Sequence, residues 1–170
     1  MIGDRWGVTD AETRAEYECD RYVANPSLEA WRGVTVDTPP DRLWPWLVQV
    51  RLAPYSYDWI DNLGRRSPRE LRNLDDPRPG DPFTASAGRP LGRVLSVDHE
   101  VQLTAQIIGA HMSYQLTPTD DQRTRLVLKV AAPQSWRLAA PLLSVGDLVM
   151  ARRQLLDFKR LAEKWRTPSL

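Results

Sequence analysis

The amino-acid sequence predicts an α+β domain. A curved antiparallel β-sheet of about six or seven strands wraps around a long C-terminal α-helix, with two short helices after the first strand. Three observations carry this expectation. Leu91–Asp98, Val101–Ile108, His111–Thr117 and Thr124–Val130 follow one another as strand-like segments of alternating character. Leu148, Ala151, Leu155, Phe158, Ala162 and Trp165 then recur three and four residues apart, one apolar stripe on a helix expected over Asp147–Trp165. Upstream, a strand-like Leu28–Thr38 runs into Thr38-Pro39-Pro40-Asp41, a helix-entry signal.

Residues 1–27 carry little periodicity and end at Asn25-Pro26-Ser27. They read as an N-terminal arm with one short helix near Ala11–Cys19, and residues 28–166 read as a single domain. In the first strand Val34 and Val36 share a face, with Thr35 and Asp37 on the other. Thr38 and Asp41 have capping-box spacing. The helix that follows aligns Leu43, Trp46, Leu47 and Val50, and Pro45 predicts a kink or a loose first turn. Tyr55–Leu63 reads as a second short helix, and Ser67–Leu74 as a further turn. Three prolines and a glycine in 75–82 make that stretch a loop. Phe83–Ser86 is a short strand, and Ala87–Pro90 turns into the meander.

Parity predicts the pairing of the meander. A Gly109-Ala110 turn of type II′ pairs Ile107 with Met112, Ala105 with Tyr114 and Leu103 with Leu116. Matching Leu126, Leu128 and Val130 to Leu116, Tyr114 and Met112 demands an odd-length connection, most simply Asp120-Asp121-Gln122. Ser144 and Asp147 have the spacing of a capping box for the last helix.

Composition narrows the function. The chain has 170 residues and a net charge of +1, from 23 basic and 22 acidic residues. That balance supplies no electrostatic reason to bind nucleic acid or an anionic membrane. No apolar run approaches the ~20 residues of a membrane helix, and the first thirty residues lack the apolar stretch of a secretory signal. A single cysteine, Cys19, makes no internal disulfide, and a cytoplasmic location is expected. No metal or cofactor is expected. The chain holds no Gly-x-Ser-x-Gly elbow, phosphate-binding glycine loop or His-Glu-x-x-His, and one cysteine with two histidines makes no metal cluster.

A sheet closed by one long helix leaves room for an apolar molecule. The expected lining is Trp46, Tyr55, Tyr57, Asp58, Trp59, Leu103, Met112, Tyr114, Leu126, Leu128, Trp136, Leu155 and Phe158. Asp58 and Asp61 lie one helical turn apart. Within Tyr55–Asp61 the tyrosines and a carboxylate read as a pocket rim, or else the rings pack and the aspartates cap. Tyr114 points inward and its hydroxyl needs a partner. Arg93 shares parity with Leu91, Leu95 and Val97. It either faces the interior, where it would hold a ligand carboxylate or phenolate, or is turned to water by a bulge. Arg125 also breaks its strand's pattern. His111 falls on the solvent side and His99 in a turn, so neither is expected to serve as a base. Trp136 and Pro141 read as a lid or as a staple for the last helix.

The order strand, two short helices, antiparallel run and long helix is that of the helix-grip fold. The chain resembles bacterial members of the SRPBCC superfamily, which includes START lipid-binding domains, the birch-pollen-allergen type and the polyketide cyclase/dehydrase group. The resemblance rests on Arg5-Trp6-Gly7, Trp44-Pro45-Trp46-Leu47-Val48-Gln49 and Tyr55-Ser56-Tyr57-Asp58-Trp59-Ile60-Asp61-Asn62-Leu63, and is most local to actinobacterial proteins of unassigned function. Gly80-Asp81 and Thr124-Arg125-Leu126 agree with it, whereas Val50–Pro54 is shorter and poorer in glycine. The resemblance implies the fold, not the function. The leading expectation is a non-catalytic binder or carrier of a lipid, polyketide-like or isoprenoid molecule, as a monomer or homodimer. The alternative is a cyclase/aromatase-type enzyme in which Tyr57, Asp58, Arg93 or Tyr114 positions a poly-keto chain and moves a proton. One scaffold hosting both leaves the choice to the site itself.

Overall fold

The computed structural model describes residues 4–56, 63, 64, 66–134 and 140–164, with side chains of the last range described from 150 onward. Seven strands form one sheet: β1 (Arg5–Trp6), β2 (Leu28–Val36), β3 (Pro82–Ser86), β4 (Arg89–Asp98), β5 (Gln102–Ile107), β6 (Ala110–Asp120) and β7 (Arg123–Ala132). Their order is β1-β2-β7-β6-β5-β4-β3, antiparallel throughout except for β1, which lies parallel to β2. Helix α1 (Asp10–Arg14) precedes β2, α2 (Pro40–Val48) follows it, and α3 (Ala140–Lys164) packs its C-terminal half on β2 and α2. The α+β helix-grip architecture is thus as the sequence predicts.

The strands pair as the apolar alternation requires, by different local devices. At the β5–β6 hairpin Ile107 pairs with Ala110, Ala105 with Met112 and Leu103 with Tyr114. The turn is therefore Ile108-Gly109 rather than Gly109-Ala110, a slip of two residues that keeps every apolar residue on its face. Both turn residues have positive φ, 47° and 84°, as a type I′ turn needs. Ile108 thus carries a left-handed conformation that β-branched residues seldom adopt. At β6–β7, Leu116 pairs with Leu126, Tyr114 with Leu128 and Met112 with Val130, in the expected register. A bulge between Pro118 and Asp120, ahead of an Asp121-Gln122 turn, supplies the odd residue.

Three local expectations are corrected. Pro39, with no side-chain cap, opens α2, while the Thr38 hydroxyl donates to Asp37 O and so caps nothing. Proline at the first helical position removes one of the N–H groups that would have no partner within the helix. The helix runs through Pro45 and passes into a 3₁₀ turn over Gln49–Arg51. Residues 66–79 contain no helix, so Ser67–Leu74 adds no turn. The last helix begins at Ala140, which places Ser144 and Asp147 inside it rather than at its cap. Pro141 sits in the first turn, where a missing N–H costs no ladder bond. Of the second short helix, only Tyr55, Ser56 and Leu63 lie among the described residues.

The two faces of the sheet have different partners. On the inner face Leu103, Leu116, Leu126 and Leu128 meet Leu155 and Phe158 of α3 and Trp46 and Leu47 of α2, forming the main core. On the outer face Tyr17, Cys19, Trp31 and Val127 form a smaller cluster under residues of the N-terminal arm. Three polar ties hold that arm. Glu12 closes the α1 capping box with Thr9 and accepts from Arg125 Nε at 2.6 Å and Nη2 at 3.0 Å. Lys129, buried between the rings of Tyr17 and Trp31, pairs with Asp20 at 2.6 Å and Glu29 at 2.9 Å. Cys19 N donates to Ser113 Oγ at 2.8 Å. Burial pushes the Cys19 thiol up to about 11, despite the Ser113 hydroxyl beside it.

Candidate functional site

Trp46, Tyr55, Leu103, Tyr114, Leu126, Leu128, Leu155 and Phe158 converge in one buried cluster, and Met112 packs against it half-buried. Strand parity brings Leu103, Met112, Tyr114, Leu126 and Leu128 to one face. The three-four stripe of α3 sets Leu155 and Phe158 over them. Tyr55 enters from the connection after α2 with φ of 55° and lies 5.4 Å from Phe158, ring to ring. Phe83 approaches Tyr114 at 6.2 Å. Tyr57, Asp58, Trp59 and Trp136 lie outside the described residues.

Polar groups within this apolar layer are tied into two short relays. Tyr114 donates to Gln154 Oε1 at 2.6 Å, and Gln154 Nε2 donates to Pro54 O at 2.6 Å. This links sheet, long helix and the segment after α2. Gln49 Nε2 donates to Tyr55 OH at 2.7 Å, while Gln49 Oε1 accepts from Arg72 N. Both carboxamides are buried, and such groups keep their place only when hydrogen-bonded. Next to Tyr114 on the same face, Met112 and Ile107 are only half-buried. The inner face is therefore closed around Leu103, Leu126 and Leu128, with Met112 and Ile107 less covered than their neighbours.

Arg93 is not part of this layer. It is exposed and its Nε donates to Gln106 Oε1 at 3.1 Å. A register shift between Val94 and Ser96 changes the parity of β4, so Val94 is buried in the core and Arg93 faces water. Of the three candidate catalytic residues, Tyr114 alone is seen on the inner face. Arg125 spends its charge on Glu12 on the outer face.

The inner face holds a cation that the sequence reading missed. Arg32 is fully buried opposite Leu128, and its Nη1 donates to Asp4 O and Trp31 O, both at 2.8 Å. Its parity with Val34 and Val36 was the available signal. Gln154 was also missed, although it lies three residues after Ala151 on the flank of the α3 stripe.

The two histidines behave differently. His99 Nδ1 lies 2.6 Å from Asp76 Oδ2, and the Trp44 indole N–H donates to Asp76 Oδ1 at 2.7 Å. The Asp76 carboxylate raises the His99 pKa above its ordinary value. His111 stacks on Tyr22 and is lowered, by burial first and by Arg93 second. Neither faces the inner layer. Among the described residues no cluster of three metal-binding side chains exists, and no helix is long and apolar enough to cross a membrane.

No protein-family model matches the chain, and no curated protein matches it in sequence. Solved structures do match in shape. A protein of Mesorhizobium loti is 18% identical with a TM-score of 0.52, over 82% of this chain and 99% of that one. A protein of Nitrosomonas europaea is 12% identical with a TM-score of 0.52, over 83% and 97%. A polyketide-cyclase-like protein of Corynebacterium glutamicum is 12% identical with a TM-score of 0.50, over 79% and 91%. At such identities the likeness is one of fold, and it agrees with the strand order and the single long helix. The chain has a helix-grip fold, shared with the polyketide-cyclase-like protein of Corynebacterium glutamicum.

Proposed function

We propose that the protein binds or carries a hydrophobic small molecule of lipid, polyketide-like or isoprenoid character between the sheet and α3. One observation carries this reading: half-buried Met112 and Ile107 stand on the inner face beside the buried Tyr114–Gln154 pair. Apolar walls with a few convergent polar groups are what a small-molecule site needs. Met112 supplies an adaptable surface, and Tyr114 and Gln154 supply a hydroxyl and a carboxamide to orient a ligand oxygen. Each ~100 Å² of ligand surface covered there contributes about 2.5 kcal/mol.

Native mass spectrometry of the purified protein, followed by titration with a fluorescent fatty acid, tests the reading. The expected result is a saturable one-to-one complex that Met112→Arg weakens at least tenfold while the fold is retained. Equal binding by the variant, or no binding of apolar probes at all, overturns it.

A further inference from the structure

A second cleft lies on the other side of Trp46, which it shares with the buried cluster around Tyr114. Trp46, Arg69, Arg160, Leu161 and Lys164 line a space of about 180 Å³, between α2, the 66–79 segment and the last turns of α3. From this cleft we infer a binding site for a small aromatic carboxylate, with its ring against Trp46 and Leu161 and its charge among the three cations.

The walls and the rim differ in chemistry. Trp46 and Leu161 are buried and apolar, with 1% and 9% of their surface exposed. Arg69, Arg160 and Lys164 are exposed around them. Arg160 is held by Asp157 at 2.8 Å. Arg69 and Lys164 form no ion pair among the described residues. The other acid in the last turns of α3, Glu163, is engaged by Lys159 at 2.6 Å and by Asp37 N at 2.8 Å. The cleft rim thus carries three cations, of which Arg160 is paired with Asp157.

Trp46 Nε1 is buried with no hydrogen-bond partner among the described residues and is shut off from solvent, so what Trp46 offers the cleft is apolar ring surface. Size selects the class. An apolar cavity of about 150 Å³ admits benzene, so about 180 Å³ takes one ring with its carboxylate at the rim.

The test uses benzoate, with benzyl alcohol as the uncharged match in size and inorganic phosphate as the charge without a ring. Binding is followed by the indole ¹H–¹⁵N resonance that Trp46→Phe removes. Benzoate is expected to shift that resonance saturably and to bind about tenfold more tightly than either control, the scale of one charge-assisted hydrogen bond. Arg69→Ala with Lys164→Ala, both on exposed residues, is expected to cost at least tenfold in benzoate affinity. Benzyl alcohol binding as well as benzoate overturns the charge assignment, and phosphate binding as well overturns the ring. Affinity unchanged in the double variant, or no shift of the Trp46 resonance, overturns the site. Should Trp46→Phe not fold, the double variant and the two control ligands decide alone.

Discussion

Replacing Tyr114 by phenylalanine removes one oxygen from the interior and leaves the ring in place. In the wild type that hydroxyl donates to Gln154 Oε1 at 2.6 Å, with Tyr114 1% and Gln154 9% exposed. The variant leaves a buried carboxamide oxygen without this donor, and Gln154 cannot turn to water without releasing Pro54 O. Stranding a buried acceptor costs about 1–3 kcal/mol. For a chain of this size that lowers Tm by roughly 2–4 °C per kcal/mol. Urea unfolding should show a lower midpoint at unchanged slope, since the surface exposed on unfolding is the same. Gln154→Met removes the acceptor instead, and combining the two changes should recover about 1 kcal/mol of the summed losses. Strict additivity, or a single-variant loss below ~0.5 kcal/mol, would show that the hydroxyl is not committed to Gln154.

Three further outcomes are expected. Adding a Cβ at Gly33 brings it within 2.5 Å of Arg125 Nη2 and 2.9 Å of Val8 Cγ1. Gly33→Ala should therefore dislodge the guanidinium from Glu12 and cost about 1–3 kcal/mol by denaturant titration. The Arg125 guanidinium holds Glu12 below its ordinary pKa. Its contribution is fully present above the unfolded carboxylate value near ~4.3 and is lost as pH falls through the folded value, so Glu12→Gln should flatten the acid limb of the stability profile. His99 is raised by Asp76, so its contribution is present below ~6.5 and is lost as pH rises through the folded value. An NMR titration should place His99 above that reference, and Asp76→Asn should bring it back.

Much of the architecture was legible in local pattern. A period of two in β5, β6 and β7 and a three-four stripe around Leu155 and Phe158 determine which side chains can share a face, whatever the chain does at a distance. The apolar members of the candidate site were readable for the same reason. Because a slip of two residues preserves parity, the Ile108-Gly109 turn could differ from the expected one without moving Leu103 or Tyr114 off the inner face.

What only the tertiary structure decided are matters of exact offset and of distant pairing. The bulge after Val94 carries no sequence mark, yet it sends Arg93 to water. Polar partners are chosen across long separations, 113 residues for Arg125 and Glu12 and 40 for Tyr114 and Gln154. Nothing in either neighbourhood names the other, because a hydrogen bond between distant residues is set by where the packed layers bring them. Periodicity alone thus dictated the sheet, its apolar face and the long helix, while the choice among polar partners waited for the layers to meet.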